Sequence, residues 1–491
     1  MIKIQQVDSV NMKIDCERGI AKEISSFFTF TVPNYKFTPA YKNKIWDGKI
    51  RLFNSLTHTL YAGLLDYVFK FCEERNYKVE YTNNSASTEI DEASIANFIA
   101  TYKTYSNGKE IKPHDHQKDA ITYALKNKRS LLVSPTGSGK SLIIYMMIRY
   151  LMQVIPEDKK ILIVVPTTGL VSQMFNDFRD YSNKDGFVKN HCHRLYSGEE
   201  KTTNKRIVIS TWQSIYKLKE IYFKDFYCVF GDECHLFKAK SLSTLMEKLK
   251  DCPFRTGTTG TLDGTQVHKL VIEGLFGKVF SVTTTKNLMD TNLLSNLKIK
   301  CLLLQYSDDA ISSIKRADYI QEVDWLVANK DRNEFICNLA NNLSGNVLVL
   351  FNFVEKHGIP LFNKIKQKNK KETYFISGKT EVEEREEIRK IVDKNTNSIL
   401  VASYGTCSTG INIKNINSII FASSSKSLVR VLQSIGRGLR KSETKDTVTV
   451  YDIADDLKHK KFRNYTLRHM DERISIYTNE KFNFDVTSIR L

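Results

Sequence analysis

Eight consecutive residues, Ser134-Pro135-Thr136-Gly137-Ser138-Gly139-Lys140-Ser141, have the types and spacing to hold a triphosphate. The apolar run Leu131-Leu132-Val133 precedes them and an apolar stretch from Leu142 to Met152 follows without a breaker, so the order is strand, glycine-bearing loop, helix. Two glycines let consecutive N–H groups turn inward, and the helix start adds partial positive charge to that nest. Lys140 then reaches the β- and γ-phosphates, and the Ser141 hydroxyl sits on Mg²⁺. The first glycine of the usual G-x-x-x-x-G-K-[ST] pattern is Ser134 here.

Three further groups fit the same chemistry. Asp232-Glu233-Cys234-His235 follows the apolar Tyr227 to Phe230. Two adjacent carboxylates at a strand end are costly unless a cation or hydrogen bonds need them there. Asp232 is therefore expected to hold Mg²⁺ and Glu233 to orient the attacking water. In Gln433-Ser434-Ile435-Gly436-Arg437-Gly438-Leu439-Arg440, helical spacing puts Arg437 and Arg440 on one face. Paired guanidinium groups suit a triphosphate whose charge spreads in the transition state, although two arginines alone also describe a solvated face. Gln117 carries an amide that can both donate to and accept from an adenine edge.

Short apolar runs bounded by polar turns position these groups: Ile161 to Val165, Ile207 to Ile209, Tyr227 to Phe230, and Phe254, with helical stretches between them. That alternation predicts a parallel sheet covered on both faces, with ligands at the carboxyl ends of its strands. Pro166 and Thr167 beyond one run, and Ser210, Thr211 and Trp212 beyond another, offer hydroxyls and N–H groups to a sugar-phosphate backbone. The hydroxyl-rich Thr256 to Thr261 either links the nucleotide to a neighbouring site or is a simple turn. Ser281 to Ser295 reads as a polar hinge.

A second α/β pattern starts at Ile299 to Leu304 and runs through Val448 to Tyr451 without a second phosphate loop, so its contribution is expected across an interface. Ser403 to Asn412 reads as a small-residue loop in which Gly405 and Gly410 permit close backbone approach. The charged helical stretch after Ala454 is expected to cap that sheet.

The first hundred residues read as a small α+β module, with a boundary in the polar interval from Asn83 to Gly108. Tyr41 to Phe53 interleaves cations with aromatics around Asp47-Gly48, a hairpin-turn signal. Composition leaves two readings open. Trp46, Lys49 and Arg51 contact DNA, or Trp46 and Phe53 are core and the lysines a wet face.

At 491 residues the chain suggests about three domains. No run resembles a signal peptide or a membrane span, and nine scattered cysteines show no C-x-x-C pair, which together predict a reducing interior compartment. His191-Cys192-His193 is expected in a solvated loop, not at a metal. The net charge of +18 points to a polyanionic partner. Residues 1–100 carry twelve basic and twelve acidic side chains, whereas 356–491 carry 26 against 16, so the surplus lies with the later domains.

Taken together, Gln117, Ser134 to Ser141, Pro166 to Gln173, Asp232 to His235, Thr259-Gly260-Thr261, Ser403 to Asn412 and Gln433 to Arg440 resemble the motifs of the superfamily 2 helicases and translocases, in family order. Within that superfamily, Trp46-Asp47-Gly48-Lys49-Ile50-Arg51-Leu52, Thr211-Trp212-Gln213 and Glu480-Lys481-Phe482-Asn483 resemble the recombination and repair helicases of tailed phages.

The resemblance implies an α/β fold of two RecA-like parallel-sheet domains in tandem, at 101–290 and 291–491, preceded by a small α+β DNA-binding domain at 1–100. ATP and Mg²⁺ would bind in the shared cleft, with Pro135 to Ser141, Gln117, Gly410 and Asn412 on the nucleotide. Ser403 and Thr406 would join the residues above on DNA. Family members move 3′ to 5′, regress forks, migrate Holliday junctions and unwind RNA–DNA hybrids at R-loops. Phage recombination and replication proteins as partners, a monomeric state, the host cytoplasm and no membrane follow as expectations. Asn412 departs from the family's aspartate, and the D-E-C-H form argues against an activity restricted to RNA. The competing readings are a restriction-type duplex translocase subunit and a nucleic-acid clamp that binds ATP without hydrolysing it.

Overall fold

Period-two alternation builds the first sheet. In β1 (Ile2–Gln6) Ile2 and Ile4 are buried while Lys3 and Gln5 are exposed, and β2 (Asn11–Asp15) buries Met12 and Ile14 in the same way. The computed structural model describes the chain apart from residues 34, 84–88, 197, 199, 239, 263–265, 369, 411, 412, 414, 426, 440–444 and 461, and apart from the side chains of 238, 266–268, 382, 408–410, 428–430 and 437.

A two-stranded ribbon, β3 (Thr29–Thr31) with β4 (Lys49–Arg51), adjoins that sheet. The sheet itself is completed by β5 (Thr59–Tyr61) and β6 (Val79–Thr82), in the order β5-β2-β1-β6. Helices Arg18–Phe27 and Leu65–Glu74 bury Ile24, Val68 and Phe71 against it, giving the expected α+β module. Asp47-Gly48 is not a hairpin loop: β4 pairs with a strand far upstream, and these residues turn the chain into β4 with Gly48 at φ +80°.

Helix Glu92–Thr101 departs from the expected boundary at residue 100. Its Ile95, Phe98 and Ile99 share a core with Ile121 and Ile148 of the following domain, so it packs there and not in the first module. The hairpin β7 (Thr104–Ser106) to β8 (Lys109–Ile111) turns at Asn107 and Gly108, both with positive φ, the backbone a two-residue type I′ turn requires.

The second sheet comprises β9 (Arg129–Val133), β10 (Lys160–Val165), β11 (Cys192–Leu195), β12 (Ile207–Thr211), β13 (Phe226–Asp232), β14 (Phe254–Thr259) and β15 (Val279–Ser281). It is parallel throughout, in the order β11-β12-β10-β13-β14-β9-β15, and its strands β10 and β13 are buried on both faces, which is why they read as apolar runs. His191-Cys192-His193 is not a loop. It leads from a short helix into the edge strand β11, with Cys192 buried.

The third sheet comprises β16 (Asn296–Gln305), β17 (Val347–Phe351), β18 (Glu372–Ile376), β19 (Ser398–Ser403), β20 (Ser418–Phe421), β21 (Thr447–Asp456) and β22 (Phe484–Arg490). It too is parallel, in the order β18-β19-β17-β20-β21-β16-β22. The stretch expected as a hinge contains helix Thr285–Asp290, whose Leu288 and Met289 enter the core of this sheet. The stretch after β19 is a helix, Tyr404–Gly410, and not a loop, because Tyr404 and Cys407 turn into the same core. Helix Tyr465–Asn479 caps the sheet through Leu467, Met470, Ile476 and Tyr477.

By internal contacts the chain separates into two compact units, Met1–Ser134 with Gly139–Val282, and Pro135–Ser138 with Thr283–Leu491. Within the first unit the amino-terminal module is fastened to the second sheet's domain. Tyr61 donates to Glu247 at 2.6 Å, Tyr67 to Glu273 at 2.7 Å, and the Ser9 N–H to the Lys250 carbonyl at 2.8 Å. Gly63 approaches so closely that a Cβ there would lie 2.1 Å from the Glu273 carbonyl oxygen.

Candidate active site

Strand β9 delivers the phosphate loop, and the helix Lys140–Val154 begins directly after it. Gly137 and Gly139 take φ of +88° and +86°, and a Cβ on Gly139 would sit 2.2 Å from Gln117 Nε2. Glycine at 139 is thus required twice, by conformation and by space. Ser134 needs no glycine: its backbone is not left-handed, it is buried, and its N–H donates to the Thr259 carbonyl at 2.8 Å. Lys140 Nζ donates to the Ser134 carbonyl at 2.9 Å, and Ser138 Oγ to the Pro135 carbonyl at 2.7 Å. Ser141 Oγ lies 2.8 Å from the Tyr181 hydroxyl. Gln117 is buried, its Oε1 accepting from the His114 N–H at 2.9 Å in a capping box, which sets its amide against the loop.

The carboxylates stand at the end of β13, where Asp232 is in register with Thr258 of β14. Thr258 Oγ1 donates to Asp232 Oδ1 at 2.8 Å. Burial pushes the Asp232 carboxyl above its ordinary pKa and Glu233 adds to the shift, while Lys140 and the Thr258 bond oppose it. Glu233 sits in the left-handed region at φ +52°, a strained conformation for a residue with a Cβ. Its Oε2 is 3.3 Å from His235 Nδ1, which lies 3.0 Å from Thr259 Oγ1. Thr259 Oγ1 in turn donates to the Thr261 carbonyl. The Thr256 to Thr261 segment is therefore β14 and its continuation, tied through His235 to the acidic pair. Sequence spacing alone does not reveal that bridge, because it joins residues on two different strands.

The residues expected on DNA divide by exposure. Lys49 and Arg51 are exposed, with Arg51 paired to Asp47, and Trp46 is half-buried with its Nε1 donating to the Lys49 carbonyl at 2.8 Å. Phe53 alone is core. A groove of about 790 Å³ beside them is lined by Lys36, Tyr41, Lys42, Lys44 and Trp46. Pro166 and Thr167 are half-buried at the end of β10, and Thr167 caps the next helix by accepting from the Leu170 N–H. Trp212 is half-buried and packs edge-on against Tyr216, and Thr211 shares a 2.9 Å hydrogen bond with Ser214. Ser210 is not available as a contact: it is fully buried and its hydroxyl is engaged with the Leu195 and Thr211 carbonyls.

In the second unit, Ser403 and Thr406 are brought together, their hydroxyls 2.7 Å apart and both buried. Gly410 ends the helix Tyr404–Gly410. Asn412 and Arg440 lie outside the described residues, as does the side chain of Arg437, whose backbone belongs to the helix Leu428–Gly438.

Family models match three segments: residues 1–82 the amino-terminal domain of DNA helicase UvsW, 110–264 the res subunit of type III restriction enzymes, and 331–442 the helicase conserved carboxy-terminal domain. The ATP-dependent DNA helicase UvsW of Enterobacteria phage T4 is 34% identical over 505 aligned residues, covering 100% of both chains. The chain belongs to the UvsW family of DNA helicases. The crystal structure of T4 UvsW superposes with a TM-score of 0.52 at 32% identity, covering 100% of this chain and 99% of that one. A DNA 3′–5′ translocase, XPB2 of Sulfurisphaera tokodaii, is 24% identical over 81% of this chain and 90% of its own length. A type I restriction HsdR fragment from Vibrio vulnificus shares the fold, with a TM-score of 0.59 at 16% identity over 87% of this chain and 74% of that one. The family assignment makes this an ATP-driven superfamily 2 DNA helicase. No helix among its described residues is long and apolar enough to cross a membrane.

Proposed function

We propose that this helicase remodels branched DNA, regressing forks, migrating four-way junctions and displacing RNA from R-loops. The observation that carries the reading is the fastening of the cation- and aromatic-lined amino-terminal groove to the domain bearing the phosphate loop. A second nucleic-acid surface held at a fixed position on a motor suits a substrate whose arms diverge. Phage recombination and replication proteins are its proposed partners, in a host cytoplasm, with the chain acting as a monomer.

In this reading Lys140 and the loop N–H groups hold the triphosphate, Gln117 the adenine, and Glu233 the attacking water. Ser141 and Asp232 are proposed as Mg²⁺ ligands. A hydroxyl and a carboxylate are hard oxygen donors, and the raised pKa of buried Asp232 is the strain a divalent cation relieves. Bound there, Mg²⁺ would neutralise phosphate charge. Arg437, Arg440, Gly410 and Asn412 are proposed to serve the nucleotide from the carboxy-terminal helicase segment.

Phosphate release with and without forked DNA tests the assignment. Lys140→Ala should abolish DNA-stimulated release while retaining the fold and DNA binding, and normal stimulated turnover in that variant would reject it. The match of residues 110–264 to a restriction subunit favours a second reading, translocation along duplex without unwinding. Strand displacement without triplex displacement supports the first, the reverse pattern the second.

A further inference from the structure

At the carboxyl ends of the third sheet, β17 connects outward to β18 and β19 on one side while β20 lies on its other side. The crevice between β17 and β20 is thus the point at which strand order reverses, where open α/β sheets bind ligands. A cavity of about 480 Å³ opens there, with Asn352 following β17 and Ser424, Ser425 and Ser427 following β20.

Its floor is held from behind. Asn352 Nδ2 donates to the Ser424 carbonyl at 3.1 Å, and its N–H to Ser423 Oγ at 3.2 Å. Arg473, buried and paired with Asp452 at 2.8 Å, donates to Ser424 Oγ at 3.1 Å and to the Ser425 carbonyl at 3.2 Å. A rigid set of hydroxyls and an amide is suited to sugar and phosphate oxygens.

The walls are aromatic and come from outside the segment that matches the helicase carboxy-terminal model, 331–442. Tyr319 precedes it, and Tyr465 and His469 follow it. Tyr319 is 42% exposed, its ring 6.0 Å from the Tyr465 ring and 5.5 Å from the His469 ring. Arg468 lies over Tyr465 at 5.3 Å and places an exposed cation beside the mouth. A large, partly exposed tyrosine braced by two other rings is a stacking platform, and every base has a face to offer it.

We propose that this crevice receives one unpaired nucleotide of DNA, its base stacked on Tyr319 and its sugar-phosphate on the Asn352 and Ser424 side. The proposal rests on the DNA reading above and adds a base-stacking subsite built from helices Tyr319–Ala328 and Tyr465–Asn479.

Titration of the full-length protein with a fluorescent single-stranded oligonucleotide, and with a series carrying one abasic position each, tests it. Tyr319→Ala should weaken binding about five- to a hundredfold, the range for loss of one stacked base, and Tyr319→Phe should restore it. In the unmodified protein one abasic position should weaken binding by a comparable factor, and Tyr319→Ala should no longer sense that position. A flat abasic profile in the unmodified protein, or equal binding by Tyr319→Ala, overturns the subsite alone. Failure of the unmodified protein to bind any oligonucleotide overturns the DNA reading on which it rests.

Discussion

Asp232, the proposed Mg²⁺ ligand, is held at the expense of stability. Its carboxyl is buried and its pKa raised, by desolvation first and by Glu233 second. An acid whose folded-state pKa is raised stabilises the fold at low pH, and that contribution is lost as pH rises through the folded value. At neutral pH the buried carboxyl therefore destabilises the metal-free protein. Asp232→Asn keeps an acceptor for Thr258 and removes the charge, so with EDTA at pH 7 it should melt higher, by about 2–4 °C for roughly 1 kcal/mol. The same variant should lose ATP turnover. Thermal unfolding beside a phosphate-release assay checks both, and a lower melting temperature would refute the assigned strain. The acidic pair and the lysine-bearing loop were legible in the sequence because each is a run of adjacent residues. The bridge from Glu233 through His235 to Thr259 was not, since strand pairing creates it.

Among elements, legibility followed burial. Covered strands that are apolar stand out, as β10 and β17 do, whereas β14 is buried at every position yet reads Phe254-Arg255-Thr256-Gly257-Thr258-Thr259. The edge strand β22 is mostly exposed and reads as polar chain, so only its parallel pairing with β16 reveals it. Helix Thr285–Asp290 was hidden for a similar reason, because only Leu288 and Met289 among its six residues are both apolar and buried, which gives no periodic signal.

The loops at the head of the third sheet carry an element-scale prediction. His357 is buried between Ser423 Oγ at 3.1 Å and Asn333 Oδ1 at 3.3 Å, and burial, followed by the Arg332 charge, pushes its pKa down to about 3. A base with a depressed folded pKa gives stability that is present above its unfolded value of 6.5 and lost as pH falls towards 3. At pH 5 the loss is about 2 kcal/mol. Urea unfolding at pH 7 and pH 5, followed by Trp325 with Trp46 and Trp212 replaced by Phe, should show this loss, and His357→Gln should flatten it. An equal pH dependence in both proteins would place the titration elsewhere.

For the molecule as a whole, the charge surplus and the fastened amino-terminal module are proposed to contribute differently to DNA affinity. The first hundred residues are neutral in sum, twelve basic against twelve acidic, yet their groove gathers Lys36, Lys42 and Lys44 on one exposed face. Net charge would assign DNA binding to the later domains, whereas the proposed groove would give this module a share. Each lysine that neutralises a duplex phosphate releases counterions and steepens the dependence of binding on salt by about 0.9 in the logarithmic slope. Replacing all three with Ala should therefore flatten that slope by about 2.7 on forked DNA. Because the module is held to its neighbour through Tyr61, Tyr67 and Gly63, away from these lysines in the chain, the replacement should leave the unfolding free energy within about 0.5 kcal/mol of the original. Fluorescence anisotropy across a salt series measures the slope directly, and an unchanged slope would remove the groove from the DNA path and leave binding to the two helicase segments.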